Sequence, residues 1–335
     1  MRGEEEVKVG ITNILIITAR YDKHTKSIFF NVHRKLMIFL CAQPATKYYS
    51  WQIDTMLYSF EKLDLFKENQ AHIICGGDSQ TKEFKDLIYK YPKAQFFFYK
   101  DTRNNPKYIS SIRFNLLEQH WKSFPYLSNA RFFYHDCDIV LNRIPDIPQD
   151  RKIYVSDTQS YIGYEYIKSK GQDVLNAMCD IVGISEQMLK DYDKGSGGAQ
   201  YIFSNIDWYF WNEAYRDSES LYEKITKLNN KKIEQDSTYH TLQIWTADMW
   251  AVLWNFWKRE KRTHILKELD FCWATDPIER WDFTNICHNA GVSINNKDLF
   301  FKGKYINNKP PKGLEINNKK VSHQYYKTVC EAIYN

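Results

Sequence analysis

Residues 131–140, RFFYHDCDIV, run from an aromatic strand pattern into two aspartates, Asp136 and Asp138, and leave through the apolar pair Ile139-Val140. Strand geometry sends side chains two apart to the same face, so extended backbone here gives both carboxylates one aim. Two hard oxygen donors with a common aim suit a divalent cation, Mn2+ or Mg2+, that can also bind the oxygens of a diphosphate. Asp-x-Asp alone is a common pattern, and Asp191-Tyr192-Asp193 repeats it in a polar helix-to-loop stretch. Only the first instance sits at a strand end; its competing reading is a solvated acidic turn.

The chain leading up to this stretch alternates strand and helix patterns. Residues 35–42 (KLMIFLCA), 71–75 and 95–99 read as strands, and residues 48–63, 82–91 and 108–124 as helices. That order predicts an α/β fold, Rossmann-like, with a mostly parallel central sheet flanked by helices. Ligands of such sheets lie at the carboxyl ends of the strands, so Gly76-Gly77-Asp78, the loop after Tyr99 and the Asp136/Asp138 segment should converge on one crevice. Further on, residues 153–156 and 201–203 read as strands, and residues 207–228 and 247–259 as helices, the second with Thr246 as N-cap. Trp250, Trp254 and Trp257 recur there at helical spacing, the mark of a core face, with ligand platforms as the alternative.

With 335 residues, 43% of them hydrophobic and 16% aromatic, the chain has material for a large core, and disorder is excluded as its main state. A net charge of +5, from 46 basic and 41 acidic residues interspersed, gives no strong nucleic-acid footprint. Seven scattered cysteines without a CxxC pair point to a reducing compartment. The glutamates at positions 4–6 and the short apolar run at 14–17 predict neither signal peptide nor membrane span, hence a cytoplasmic protein. Heavy use of Lys, Asn, Ile and Tyr suits an AT-rich source, a virus or phage among them.

The apolar strand entering the acidic pair resembles the metal-binding Asp-x-Asp strand of GT-A glycosyltransferases. Tyr48-Tyr49-Ser50-Trp51-Gln52, Arg113 and His288-Asn289-Ala290-Gly291 stand in the order found in plant hydroxyproline arabinosyltransferases and peptidyl-serine galactosyltransferases, a distant likeness spanning residues 35–305. The resemblance implies a single large GT-A domain. Its expected parts are an extension (1–27), a nucleotide-sugar half (28–150), an acceptor half with a C-terminal metal and phosphate segment (151–306), and a tail (307–335).

It also implies roles. His288 becomes the third metal ligand beside Asp136 and Asp138, Gly291 allows close backbone approach, and Lys302 or Lys304 meets the phosphates. Gly197-Gly198-Ala199-Gln200 bounds the donor sugar, with Gln200 as the amide beside an oxocarbenium-like transition state. Arg113 and Asp157 are further donor contacts. Asp248, in the first turn of its helix, is the acceptor-side carboxylate, flanked by Trp245 and Trp250, with Asp236 in reserve. The expected reaction moves a sugar from a nucleotide sugar, UDP-linked, to an acceptor hydroxyl on a glycan or protein, with retention of configuration. Two other readings are a viral or phage enzyme that glycosylates modified DNA bases, and a non-catalytic module of the same shape. No Walker lysine loop or richer acidic cluster speaks for nucleotidyl transfer or phosphatase chemistry.

Overall fold

The computed structural model describes residues 6–12, 15–22, 27–32, 37–77 and 81–335, with residues 6–32 described as backbone. Ile14, Lys35 and Asp78, named above in the sequence patterns, lie outside the described residues. Strands β1 (Glu6–Thr12), β2 (Leu15–Asp22) and β3 (Ser27–Val32) form an antiparallel sheet in that order.

The alternating region follows its predicted course. It runs β4 (Met37–Pro44), α1 (Lys47–Lys62), β5 (Gln70–Gly76), α2 (Lys82–Lys90), β6 (Gln95–Tyr99) and α3 (Ile112–Ser123). Next come β7 (Arg131–Tyr134), β8 (Ile139–Leu141) and β9 (Ile153–Asp157). Four helices, α4 (Gln159–Ile162), α5 (Tyr164–Lys168), α6 (Gln172–Val182) and α7 (Glu186–Tyr192), lead to β10 (Gly197–Ser204). The remainder is α8 (Trp208–Gln235), α9 (Ala247–Lys258), β11 (Thr263–Ile265), β12 (Phe271–Trp273), α10 (Arg280–Phe283), β13 (Ile286–His288) and α11 (Val321–Tyr334).

Seven strands make the central sheet in the order β11-β9-β10-β7-β4-β5-β6. Four of its six pairings are parallel; the two made by β10 are antiparallel. The result is an α/β domain whose mixed, largely parallel sheet is covered by helices on both faces. β4 shows why. Its apolar run alternates between two cores, Ile38, Leu40 and Ala42 joining the cluster with α3, α8 and α9, and Met37, Phe39 and Cys41 the cluster with α1 and α2. A central parallel strand buried on both faces needs such an unbroken apolar run. The tryptophans of α9 are core, Trp250, Trp254 and Trp257 each being at most 1% exposed. Residues 307–335 carry α11, whose Val321, Tyr325 and Val329 pack with Trp51 of α1. Among the described residues no helix is long and apolar enough to cross a membrane.

The sequence pattern fails at the segment that mattered most. Residues 131–140 are two strands in different sheets: β7 pairs with β4 and β10, whereas β8 joins β12 and β13 in a three-stranded sheet. His135 still donates its backbone N–H to Leu40 O at 3.0 Å, and the chain then turns through Asp136–Asp138 to cross between sheets. The two aspartates share an aim because of this turn, not because of extended backbone.

A buried histidine pair ties β5 to α3: His72 Nδ1 lies 3.1 Å from His120 Nε2, and Tyr99 Oη lies 2.8 Å from His120 Nδ1. Burial holds both imidazoles neutral, pulling His72 from 6.5 down to about 4 and His120 lower still. Since the unfolded chain protonates near 6.5 and the folded one does not, this contribution is whole above 6.5 and is lost as pH falls toward 4. Lowering pH from about 7 to about 5 should cost on the order of 2 kcal/mol per histidine, beyond the carboxylate effects. Urea unfolding of the wild type and of the double variant His72→Phe/His120→Phe checks this; equal pH dependence in the two would contradict it.

Candidate metal and nucleotide cleft

The crossing turn opens onto a cleft enclosing about 990 Å³, mouth included, at the carboxyl ends of β4 and β7 and the start of β10. Asp136, Asp138 and His288 converge there. One ligand atom from each lies within 4.8 Å of the others, and His288 Nε2 stands 3.5 Å from Asp136 Oδ2 and 3.3 Å from Asp138 Oδ1. His288 ends β13, whose pairing with β8 places it opposite Ile139, just past the acidic turn. Trp273, on β12, stacks on its ring at 13°, and Asn289 N–H donates to Asp138 O at 2.9 Å.

Cations surround these acids. Arg113, from the first turn of α3, bridges Asp136 (2.7 Å) and Asp248 (3.0 Å), and Lys302 Nζ sits on Asp138 Oδ2. Burial pushes the Asp136 and Asp138 carboxyls up, but Arg113 and His288 on the first, and Lys302 and His288 on the second, hold both below the ordinary range. Burial depresses His288, and the two aspartates more than reverse it, lifting it to about 9. Asp248 goes the other way: burial raises its pKa and Arg113 only partly offsets the rise.

The donor set fits a divalent cation. Two carboxylate oxygens and an imidazole nitrogen suit the harder first-row ions and Mg2+. Three aspartates against Arg113 and Lys302 leave one negative charge when His288 is neutral, so the buried site is short of positive charge in the protonation state that could ligate.

Of the residues predicted for the site, Arg113, Asp136, Asp138, Trp245, Asp248, His288 and Lys302 line this one cleft. Others lie elsewhere. Gln200 is fully buried, its Oε1 accepting from Ser156 Oγ, and the cleft is lined by its neighbour Ala199, held at φ 67° in a bulge of β10. A Cβ at Gly197 would come 2.2 Å from Ser156 O, so this glycine serves strand packing. Gly198 lies beneath the cleft wall, where a Cβ would meet Tyr201 Oη at 2.6 Å and Met249 Cε at 2.7 Å. Gly291 takes φ +77°, the left-handed turn after His288. Asp157 lines a separate acidic groove with Asp193 and Asp270. Lys304 and Asp236 are exposed outside the cleft. Trp250 is wholly buried, donating its indole N–H to Ile162 O at 2.9 Å. Thr246 Oγ1 donates to Gln243 O, so it makes no side-chain cap.

Sequence reasoning missed Tyr108, whose hydroxyl bonds Asp248 Oδ1 (2.8 Å) and Trp245 O (2.6 Å), fixing the turn before α9 to the start of α3. It also missed Gln43 and Trp273. Gln43, at the carboxyl end of β4, had a usable signal: a polar residue closing a buried parallel strand.

No protein-family model matches the chain, and no curated protein sequence matches it. Solved structures do. The apo structure of the bifunctional glycosyltransferase WbbM is 8% identical, covering 90% of this chain and 50% of WbbM, with a TM-score of 0.52. The galactosyltransferase LgtC in complex with donor and acceptor sugar analogues is 12% identical, covering 89% of this chain and 97% of LgtC, with a TM-score of 0.45. An active-site mutant of LgtC gives 12%, 88%, 96% and 0.45. The chain thus spans about half the length of WbbM and shares with it a GT-A-like fold.

If Lys302 occupies part of the cation site, removing its charge should help a metal. Lys302→Met is expected to bind Mn2+ about tenfold more tightly than wild type without nucleotide, because a competing charge leaves Asp138. Mn2+ titration by electron paramagnetic resonance reads this, and unchanged or weaker binding would assign Lys302 no competing role.

Proposed function

We propose that the chain is a metal-dependent glycosyltransferase that moves a sugar from a UDP-sugar to an acceptor hydroxyl, with retention of configuration. The observation that carries this is the Asp136, Asp138 and His288 cluster inside a cleft at the strand ends of a GT-A-like sheet. A divalent ion, Mn2+ or Mg2+, held by those three side chains would supply positive charge to the departing nucleoside diphosphate. Lys302 is the side-chain cation best placed to meet the same phosphate oxygens. Arg113 holds Asp136 toward the metal position and Asp248 toward the acceptor side, so donor and acceptor groups are oriented by one guanidinium.

Retention is favoured by the state of Asp248, the one carboxylate lining the cleft outside the metal cluster. It accepts from Arg113 and Tyr108 together, which leaves it poorly disposed to act as the general base of an inverting displacement. Trp245, 59% exposed at the mouth, offers an acceptor sugar a flat apolar face. The arginine and lysine lining the cleft both face carboxylates, which favours an uncharged acceptor hydroxyl over a DNA strand. The donor groups Arg113, Asp136 and Asp138 come from residues 28–150, and Trp245 and Asp248 from residues 151–306, in keeping with donor and acceptor halves.

A nucleotide-sugar panel assayed for binding and slow hydrolysis, with Mn2+ or with EDTA, tests this reading. One donor should be bound and turned over with metal only, and Asp138→Asn should lower that turnover at least a hundredfold, or about 2.7 kcal/mol. Metal-independent binding, or no donor binding at all, would overturn it.

A further inference from the structure

The end of the sheet away from the cleft carries a separate groove of about 680 Å³. It is built where β9 begins, β10 ends and α9 passes into β11, and four cations line it: Arg151, Lys152, Lys261 and Arg262. Glu260 is the one acid in its lining. None of the four cations has a carboxylate salt-bridge partner among the described residues; Arg262 lies over the Tyr192 ring at 4.7 Å, and Lys261 donates to Asn205 O. Burial, then Arg259, depress the Lys261 pKa, and Asp207 offsets part of the fall.

Three neighbouring acids have other partners as well, while Asp150 and Asp207 also act on Lys152 and Lys261 of the groove. Asp150 accepts from Tyr154 Oη (2.7 Å) and from the backbone N–H of Lys152 (3.0 Å). Asp207 caps α8 through Phe210 N–H at 3.1 Å, and Glu213 is held by Lys258 and Arg259. With four cations against Glu260 in its own lining, the groove is net positive.

Half-exposed aromatic rings lie at the same end of the sheet. Asn205 lines the groove and leads through Asp207 into α8, whose first residues, Trp208 and Tyr209, are 41% and 45% exposed. Tyr126, on the loop between α3 and β7 at the same end of the sheet, is 44% exposed. Each of the α8 rings has a cation over it, Lys122 at 4.4 Å from the Trp208 centroid and Arg216 at 5.9 Å from Tyr209. Cations in a groove with half-exposed Trp and Tyr alongside make the composition of a membrane-interface surface, where amphipathic rings sit at headgroup depth and lysines and arginines meet lipid phosphates. Single-stranded nucleic acid would call for rings inside the basic groove, where bases stack; the residues lining the groove include no aromatic side chain apart from His264.

We infer that this end of the molecule docks on anionic phospholipid, leaving the cleft at the far end of the sheet open to the aqueous side. The inference is independent of the reaction proposed above.

Co-sedimentation with vesicles of phosphatidylcholine alone, or with about 30 mol% phosphatidylglycerol, tests it at about 0.05 M and about 0.5 M salt. The expected result is at least tenfold stronger partition onto the anionic vesicles at low salt. The variant Arg151→Gln/Lys152→Gln/Lys261→Gln/Arg262→Gln should lose that gain while keeping the wild-type melting curve by circular dichroism. Trp208→Ala, a second variant, should lower partition in a way that salt does not mask. Equal partition onto both vesicle types, or anionic binding that survives the fourfold change in a folded variant, would overturn the inference. So would salt-sensitive binding of a fluorescent DNA duplex without vesicle binding, which would assign the groove to nucleic acid instead.

Discussion

The whole site hangs on one crossing. After Tyr134 the chain leaves the seven-stranded sheet, and by Ile139 it is paired in the small one. Two acids on the connecting turn are thereby brought under the edge of two sheets, where burial alone would force them neutral. They stay ionised because three other elements each deliver a positive or protonatable group to the same spot: Arg113 from α3, His288 from β13 and Lys302 from the segment after it. The small sheet therefore serves the site as well as the fold, since β13 must pair with β8 for the imidazole to face the turn.

Much of this was readable in the chain. The parallel sheet followed from the strand and helix periods, and the cation site from Asp136-Cys137-Asp138 at the end of an aromatic strand. His288 and Lys302 came from resemblance alone, since nothing in local spacing ties residues some 150 positions downstream to an acidic turn. What could not be read was three-dimensional. A strand pattern cannot say where a chain changes sheets, because Phe132-Phe133-Tyr134 and Ile139-Val140-Leu141 are both apolar and each satisfies strand preference. The same limit explains Gln200: the glycines around it do mark an irregular strand, but the bulge that turns Ala199 to the cleft also turns the amide inward to Ser156. Trp250 and Trp245, five residues apart, differ for a related reason. Trp245 precedes α9, on the short turn that Tyr108 pins, whereas Trp250 lies on the helix face packed into the core.

The electrostatics of the cleft then bear on its chemistry. Each cation lining it is shared between groups that a ligand would compete for, Arg113 by two aspartates and Lys302 by one. With His288 protonated such a site is balanced, and an anionic diphosphate would need that balance changed by an added cation rather than by an unpaired lysine waiting in the pocket. The metal dependence proposed above would follow from how the three acids are already neutralised as well as from their ligand geometry.

Arg113 also ties the Asp136 side of the cleft to Asp248. Its guanidinium spans Asp136 and Asp248, and Tyr108 closes the other side of Asp248. Any shift of Asp136 toward a metal is transmitted through one rigid, planar group to the acceptor-side carboxylate. Under the proposed roles, donor loading and acceptor alignment would be coupled by contact within this one ion network, in which burial raises the Asp248 pKa and Arg113 offsets part of the rise.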